Sequence, residues 1–210
     1  MKKLLFFVLT LFAVQAQAQI GQGLFAGGGL GLTVESGKSE FGNLSVEGPT
    51  TTGYSFAPKV GYFFTDNIGA GLELMVSGVN TSLDDDKTTS TIVGVGVFGR
   101  YAIGLGEEEK FAIVGDLNLR YMSQTGETKT GNVTVEADPI NTVAVGIAPS
   151  LLYFPTPKIG LEMGLGNIIS YQNQVEKVNG GDDKIISNTF ELFNLNSLNL
   201  NIGASYYFNR

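Results

Sequence analysis

The sequence contains no cysteine, no histidine and no tryptophan. Without cysteine the chain can form neither a disulfide framework nor a thiolate zinc site, and no cysteine can carry a lipid. Without histidine it lacks the commonest general base and the commonest metal ligand. Serine-based lipases and many proteases depend on histidine to activate the nucleophile or water. We therefore predict no enzymatic activity, no metal site and no cofactor.

Charged residues are scarce, and the balance is acidic. They make up 16% of the chain, whereas soluble domains average about 25%. The hydrophobic fraction of 43% is far too high for a disordered chain. A net charge of −7 argues against binding nucleic acid through its phosphates.

Long hydrophobic runs are also absent, although the chain begins with a short one. A basic start, Met1 to Lys3, precedes apolar residues from Leu4 to Val14 and a small-x-small site at Ala16-Gln17-Ala18. The apolar run of about 11 residues is too short to span a bilayer as a helix, which needs about 20. This pattern predicts a secretory signal peptide over residues 1–18, cleaved after Ala18, followed by one domain over residues 19–210.

From Gln22 to Phe208 the chain alternates with a period of two residues. One parity carries bulky apolar side chains, and the other carries mainly glycine, alanine, serine and asparagine. This alternation predicts strands. Eight are expected, over residues 24–34, 54–62, 68–76, 93–101, 111–121, 143–153, 159–166 and 198–208, with a bulge near Asn196-Ser197 where the eighth slips phase.

The predicted connections alternate between short and long. The short ones are residues 65–67, 104–110 and 155–158, and the long ones are residues 36–52, 78–90, 124–139 and 171–189. Short turns on one side and long loops on the other are typical of an outer-membrane β-barrel. The expected fold is an all-β, eight-stranded antiparallel transmembrane barrel of up-and-down order. Both termini would lie in the periplasm, and long loops would face outside.

The charged residues within the strands distinguish this barrel from a soluble one. A narrow eight-stranded lumen cannot hold all the bulky apolar side chains, and the other face has too few charges for a solvated exterior. All six central charges lie on the small-residue parity, which we assign to the lumen: Lys59, Glu73, Arg100, Asp116, Arg120 and Glu162. We expect them to form a lumen charge network with a structural or a conducting role. Lys59 should pair directly with Glu73 across the turn at residues 65–67.

Aromatic residues and prolines have their own expected places. A girdle at the membrane interface is predicted beside the short turns and the C-terminus. It comprises Tyr62, Phe63, Phe64, Tyr101, Phe111, Tyr153, Phe154, Tyr206, Tyr207 and Phe208. Pro58 and Pro149 lie within predicted strands and cannot donate a ladder hydrogen bond, so a bulge or a missing bond is expected at each.

Two segments that contain these prolines carry a family resemblance. The pattern of residues 58–68, Pro-Lys-Val-Gly-Tyr-Phe-Phe-Thr-Asp-Asn-Ile, recurs from Pro149 to Phe154, and the ending over residues 200–208 carries the resemblance too. In these segments the chain resembles the outer-membrane β-barrel domain proteins of Bacteroidetes-type bacteria. The resemblance implies insertion by the barrel-assembly machinery, which reads an aromatic residue at the end of the last strand.

These observations favour a small protein of the cell outer membrane, with lipid around the barrel and a structural or surface-interaction role. A narrow channel for ions or small solutes is one alternative, because inward glycines could leave a water-lined gap. A soluble, secreted, ligand-binding barrel is the other. The sequence identifies no extracellular ligand.

Overall fold

The computed structural model describes residues 20–41, 44–83, 86–106, 110–177, 183–193 and 201–210. The predicted signal peptide lies outside these residues. Within them, no helix has the length and apolar character needed to cross a bilayer.

Ten β-strands lie within the described residues. They are β1 Gly23–Phe41, β2 Leu44–Phe63, β3 Ile68–Leu83, β4 Asp86–Leu105, β5 Phe111–Thr130, β6 Val133–Thr156, β7 Ile159–Gly164, β8 Ile169–Lys177, β9 Lys184–Leu192 and β10 Asn201–Tyr207.

These ten segments form the eight walls of a closed antiparallel barrel. Strands β1 to β6 pair in sequence order, and β10 pairs with β1 to close the ring. β7 and β8 pair with the two ends of β6, so together they are the seventh barrel strand. β9 pairs with β8 and β10 with β7, and these two form the eighth. The prediction of an eight-stranded up-and-down barrel is confirmed.

Both prolines interrupt the hydrogen-bond ladder, as expected. The β2–β3 pairing runs from Phe56↔Val76 to Lys59↔Glu73 without partners at residues 57 and 58, so pairing is missing at Pro58. On β6, Ile147 pairs with Ile169 whereas Ser150 pairs with Gly164. Residues 148–149 of β6 therefore lie opposite residues 165–168, and the two extra residues form a bulge in the seventh barrel strand. The bulge predicted near Asn196-Ser197 falls outside the described residues.

The four long connections that the sequence predicts are shorter in the structure, because the strands extend into them. Most of residues 36–52, 78–90, 124–139 and 171–189 continue the strands as β-hairpins, and the β5–β6 hairpin turns at Gly131, whose φ is +58°. These segments are rich in threonine and valine, whose β-branched side chains favour strands. Threonines also pair across strands, as between the Thr51 and Thr81 hydroxyls at 3.1 Å. In the β5–β6 hairpin, for example, residues 127–137 are exposed on both faces, so apolar alternation stops there and the pattern gave no strand signal.

The apolar side chains of the barrel lie on its outer face. Bulky residues on the outward parity are exposed; Leu72 and Leu117, for example, are 58% and 57% exposed. The aromatic girdle beside the short turns is present in part. Its exposed members are Tyr62, Phe64, Tyr101, Phe111, Tyr153, Tyr206 and Phe208. The assignment of Phe63, Phe154 and Tyr207 to it is wrong, because these three side chains are buried in the lumen.

A second set of outward aromatic residues marks the other edge of the apolar belt. It consists of Tyr54, Tyr121 and Tyr171. Tyr121 donates a hydrogen bond to Asn141 Oδ1 at 2.9 Å, and Tyr171 donates to Asn188 Oδ1 at 2.8 Å. Along β5 the two edges lie at Phe111 and Tyr121, which matches the roughly 9–11 residues a tilted strand needs to cross a bilayer. The parts of the hairpins beyond these tyrosines extend past the belt.

Candidate functional site

Aromatic side chains fill the lumen at the end where the short turns lie. We call the buried residues Phe25, Phe63, Phe98, Phe154 and Tyr207 the aromatic plug. The ring centroids of Phe25 and Phe63 are 5.4 Å apart, and those of Phe154 and Tyr207 are 5.1 Å apart. Ile20 is buried in the same cluster. Side chains therefore occupy the lumen at this end.

The alternation of the sequence already indicated that these aromatic residues face the lumen. In the second strand the outward residues are even-numbered, so Phe63 is an inward residue next to outward Tyr62 and Phe64. Sequence reasoning grouped the three by their position beside the turn and overlooked the alternation.

Arg100 lies directly against the plug and is buried completely. Its Nε donates to Asp116 Oδ1 at 2.8 Å and its Nη2 to Asp116 Oδ2 at 2.6 Å, a bidentate pair. Nη2 also donates to Glu162 Oε1 at 3.1 Å. The guanidinium carbon is 5.2 Å from the centroid of the Phe25 ring, which adds a cation–π contact. Arg100 therefore joins the aromatic plug to the charged part of the lumen.

Glu162 on β7 is where several donors converge. Lys59 Nζ donates to its two carboxylate oxygens at 3.0 and 2.9 Å, and Ser150 Oγ donates to Oε1 at 3.1 Å. Together with Arg100, three side chains from β2, β4 and β6 hold this one carboxylate. The contacts from Lys59 and Arg100 link β7 to strands that are not its neighbours in the barrel wall, whereas Ser150 lies on the adjacent β6.

The predicted direct ion pair between Lys59 and Glu73 is wrong. The two residues do lie opposite each other in the β2–β3 register. The Lys59 ammonium instead crosses the lumen to Glu162, and Glu73 accepts a bidentate pair from Arg120, with Nη2 and Oε2 3.2 Å apart. A long side chain in a narrow lumen can reach a distant strand, so register alone does not choose its partner.

Arg120 reaches Glu73 over the intervening strand β4, at Gly96. A Cβ atom at Gly96 would lie 2.9 Å from Glu73 Oε1 and 3.0 Å from Arg120 Cγ. A side chain at this position would therefore disturb the pair, and glycine leaves the space that it occupies.

The structure thus brings all six predicted residues into the lumen, where ion pairs hold them in two groups: Lys59, Glu162, Arg100 and Asp116 form one, and Arg120 and Glu73 form the other. Three cations balance three anions. Partial exposure of most of these groups, up to 23% for the Arg120 side chain, places them at the edge of a cavity. The structural or conducting role of the network stays a prediction.

Two connected cavities lie on the hairpin side of the plug. The inner one, of about 300 Å³, is lined by charged residues that include Lys59, Asp116 and Arg120. The outer one, of about 630 Å³, shares Ser55, Arg120 and Asn167 with it and extends to Gln172. Over the described residues, no cluster of histidine, cysteine and acidic side chains is suited to hold a metal ion.

Comparison with solved structures returns small outer-membrane barrels. OprG from Pseudomonas aeruginosa matches 91% of this chain and 98% of its own, with 13% identity and a TM-score of 0.50. Neisserial surface protein A matches 90% and 99%, with 14% identity and a TM-score of 0.44. Ail, the attachment invasion locus protein of Yersinia pestis, matches 90% and 100%, with 15% identity and a TM-score of 0.42.

At these identities the similarity to OprG shows the fold alone. It agrees with the closed eight-stranded barrel. No protein-family model matches the chain, and no curated protein matches it in sequence.

Proposed function

We propose that this protein is an outer-membrane barrel that does not conduct and that presents its long hairpins at the cell surface for interaction. The observation that carries the proposal is the aromatic plug. Phe25 and Phe63 have no exposed surface, and Arg100 above them is held by two carboxylates. A pore would need water along its whole length, whereas aromatic side chains fill this lumen beside the short turns, and the two cavities lie on the hairpin side of them.

The outward face supports a place in lipid. Large apolar side chains are exposed on every strand of the barrel, between two sets of outward aromatic residues. Side chains of this kind would be costly in water, whereas an apolar band between aromatic girdles suits a bilayer. This argues against the soluble, secreted alternative.

The orientation follows from the signal peptide and the turns. With an even number of barrel strands, both chain ends lie on the side of the short turns, which is the periplasmic side in outer-membrane barrels. Export, insertion by the barrel-assembly machinery and membership of the Bacteroidetes-type family belong to this proposal. They rest on residues 1–18 and on the Pro58 and Pro149 segments.

The first experiment asks where the protein resides. The expressed full-length chain should be recovered only from the outer-membrane fraction, and its gel mobility should change on boiling, because folded barrels resist detergent until heated. A soluble protein whose mobility is unchanged by boiling would contradict the proposal.

The second experiment measures in planar lipid bilayers whether ions pass through the lumen. The native barrel should give no steady current. The double variant Phe25→Ala with Phe63→Ala, which removes the centre of the plug, should conduct. Phe111→Ala, a truncation of an exposed girdle residue, is the matched control and should stay closed. A native current whose ion selectivity changes in Arg120→Gln would support the channel alternative instead.

A further inference from the structure

The first and last barrel strands pair along only part of their length. β1 and β10 pair from Phe25↔Tyr207 to Leu30↔Ile202. Beyond Leu30, β1 continues to Phe41 and, as far as the described residues show, pairs there with β2 alone. β9, the outer part of the eighth barrel strand, pairs with β8 alone over the same residues. Each of these two strands therefore has one edge without a partner in the described part of the chain.

Side chains beside these edges are more exposed than others on the outer face. Leu32 on β1 is 77% exposed, whereas Leu72 and Leu117 on strands with two neighbours are 58% and 57% exposed. On β9, Phe190 and Ile186 are 67% and 61% exposed. Because a neighbouring strand covers part of each side chain beside it, these values agree with a missing neighbour.

The hydrogen-bond pattern shows which backbone groups of β9 lie at its open edge. The N–H of Phe193 donates to the Ile168 carbonyl oxygen at 2.7 Å, in register with the β8–β9 ladder. In an antiparallel ladder every second residue bonds to a given neighbour. The odd-numbered residues of β9 therefore bond to β8, and the N–H and C=O groups of Ile186, Asn188 and Phe190 point to the open edge.

This edge lies on the hairpin side of the apolar belt. Phe190 pairs with Tyr171, which belongs to the second set of outward aromatic residues. From Phe190 to Lys184 the strand leads away from the belt. The open edge of β9 is therefore accessible to other molecules from the side of the long hairpins.

β9 lacks the features that usually protect a free strand edge. Natural edge strands carry charges, proline or a bulge that prevent pairing with other chains. Residues 185–190, Ile-Ile-Ser-Asn-Thr-Phe, contain no charge, no proline and no glycine, a composition that favours strand pairing. The edge of β1, by contrast, carries Glu35 and Lys38 and has a bulge between Ser36 and Lys38. The β9 edge is thus the one suited to accept a further strand.

Two lysines at the outer end of β9 indicate the charge of such a strand. Lys177 and Lys184 lie directly opposite each other in the β8–β9 register. Like charges in this arrangement repel each other. Within the described chain, no ion pair with a carboxylate neutralises either lysine. An acidic residue on a strand added beside Lys184 would relieve this repulsion.

We propose that β9 binds an extended segment of a partner protein as an additional antiparallel strand. Main-chain hydrogen bonds to Ile186, Asn188 and Phe190 would provide the affinity. Apolar side chains opposite Ile186 and Phe190, together with an acidic side chain opposite Lys184, would provide the specificity. The inference rests on the proposed surface-interaction role and specifies how that interaction takes place.

The peptide Val-Thr-Val-Thr-Thr-Thr-Val-Val-Glu tests the proposal. In antiparallel register it places valines opposite Phe190 and Ile186 and its glutamate opposite Lys184. Fluorescence anisotropy measures binding of the labelled peptide to the folded barrel in detergent micelles. The matched control is the same peptide N-methylated at its third, fifth and seventh residues, whose N–H groups would face β9. We expect one peptide per barrel, and binding of the methylated peptide about tenfold weaker or less.

Variants of the chain locate the site. Asn188→Pro removes one N–H from the open edge and none from the β8–β9 ladder, so the barrel should fold and peptide binding should weaken about tenfold. Asn188→Ala is the control, because it also loses the hydrogen bond from Tyr171 but keeps the N–H, and it should bind normally. Lys184→Glu should weaken binding severalfold, and a peptide that ends in lysine should restore it. The mobility change on boiling checks the folding of each variant.

The inference is overturned if the folded native barrel takes up no peptide, or if the methylated peptide binds as tightly as the unmodified one. The second comparison uses the native chain, so it holds even if Asn188→Pro fails to fold. Equal binding by folded Asn188→Pro and Asn188→Ala would also contradict the inference.

A second copy of the chain is the other candidate occupant of this edge. If the native chain is a dimer in micelles and Asn188→Pro is a monomer, the β9 edge joins two copies and the proposal of a separate partner is wrong. A barrel that folds in the outer membrane and does not conduct, yet binds no peptide, contradicts this inference alone. The fractionation and conductance experiments test the proposed function separately.

Discussion

At the scale of single residues, Glu162 has the most partners in the lumen network. It accepts hydrogen bonds from Lys59, Arg100 and Ser150. Burying charges costs free energy that only well-placed partners offset, and removal of one partner leaves another charge uncompensated. The network therefore holds the barrel in one arrangement as long as all its members are present.

Glu162→Gln should lower the free energy of unfolding by about 3 kcal/mol, because Lys59 loses its carboxylate and Arg100 keeps only Asp116. Urea unfolding in detergent micelles, followed by circular dichroism, measures the change. Glu127→Gln on the exposed part of β5 is the control and should stay within about 0.5 kcal/mol of the native chain. Equal losses in the two variants would show that the network contributes nothing specific.

Gly96→Ala tests whether the ion pair between Arg120 and Glu73 needs the open space that glycine leaves on β4. The added methyl group would crowd both Glu73 and Arg120 and should cost about 1–3 kcal/mol in the same unfolding measurement. Gly99→Ala, on the same strand with open space around its Cβ, provides the comparison. If the two substitutions had the same effect, the cost would come from the strand and not from the ion pair.

At the scale of elements, the strands are longer than a membrane requires. A 20-residue strand such as β5 extends about 66 Å, or about 50 Å in height at a typical tilt, whereas the apolar band of such barrels is about 25 Å tall. The outer part of the β5–β6 hairpin, over residues 127–137, is exposed on both faces and adds little buried surface. Its stability comes from cross-strand pairing on top of an anchored barrel.

Shortening the β5–β6 hairpin should therefore leave the barrel intact. Replacement of residues 127–136 by an Asn-Gly turn, between the paired residues Gly126 and Ala137, should preserve the mobility change on boiling. A deeper replacement, of residues 118–146, cuts into the apolar belt and should abolish folding. Failure of the shorter variant to fold would mean that the outer hairpin is needed for assembly.

The periodicity of the sequence predicted elements well where one face meets an apolar environment. It located β3, β4 and β5 within the belt, as at Ile68 to Val76, because bulky apolar residues outside and small residues inside impose the alternation. It missed the outer hairpins, where water on both faces removes that constraint. It also predicted a single seventh strand, which the structure divides at the bulge opposite Pro149.

At the scale of the whole molecule, the barrel is inside out relative to a soluble protein. Its apolar surface lies outside and its charges lie in the lumen. The cost of a charge on the outer face should then depend on depth in the membrane.

Leu117→Arg and Thr125→Arg test this dependence on one strand. Both residues lie on the outward parity of β5, one in the middle of the belt and the other beyond Tyr121. Unfolding from lipid bilayers should show a loss of about 2–4 kcal/mol for Leu117→Arg and about 0–1 kcal/mol for Thr125→Arg. Similar losses at the two depths would argue against a membrane around this barrel.

The sequence by itself determined the class of fold, the outward face and the inward direction of all six charges, because each follows from a two-residue period that any strand must obey. The tertiary structure decided which charges meet, how far the hairpins extend and that aromatic side chains fill the lumen at the end of the short turns. Which charges meet depends on side chains that reach across the narrow lumen. Lys59, for example, pairs with Glu162 and not with Glu73, the residue opposite it on the neighbouring strand. No local sequence pattern specifies which strands face each other across the lumen.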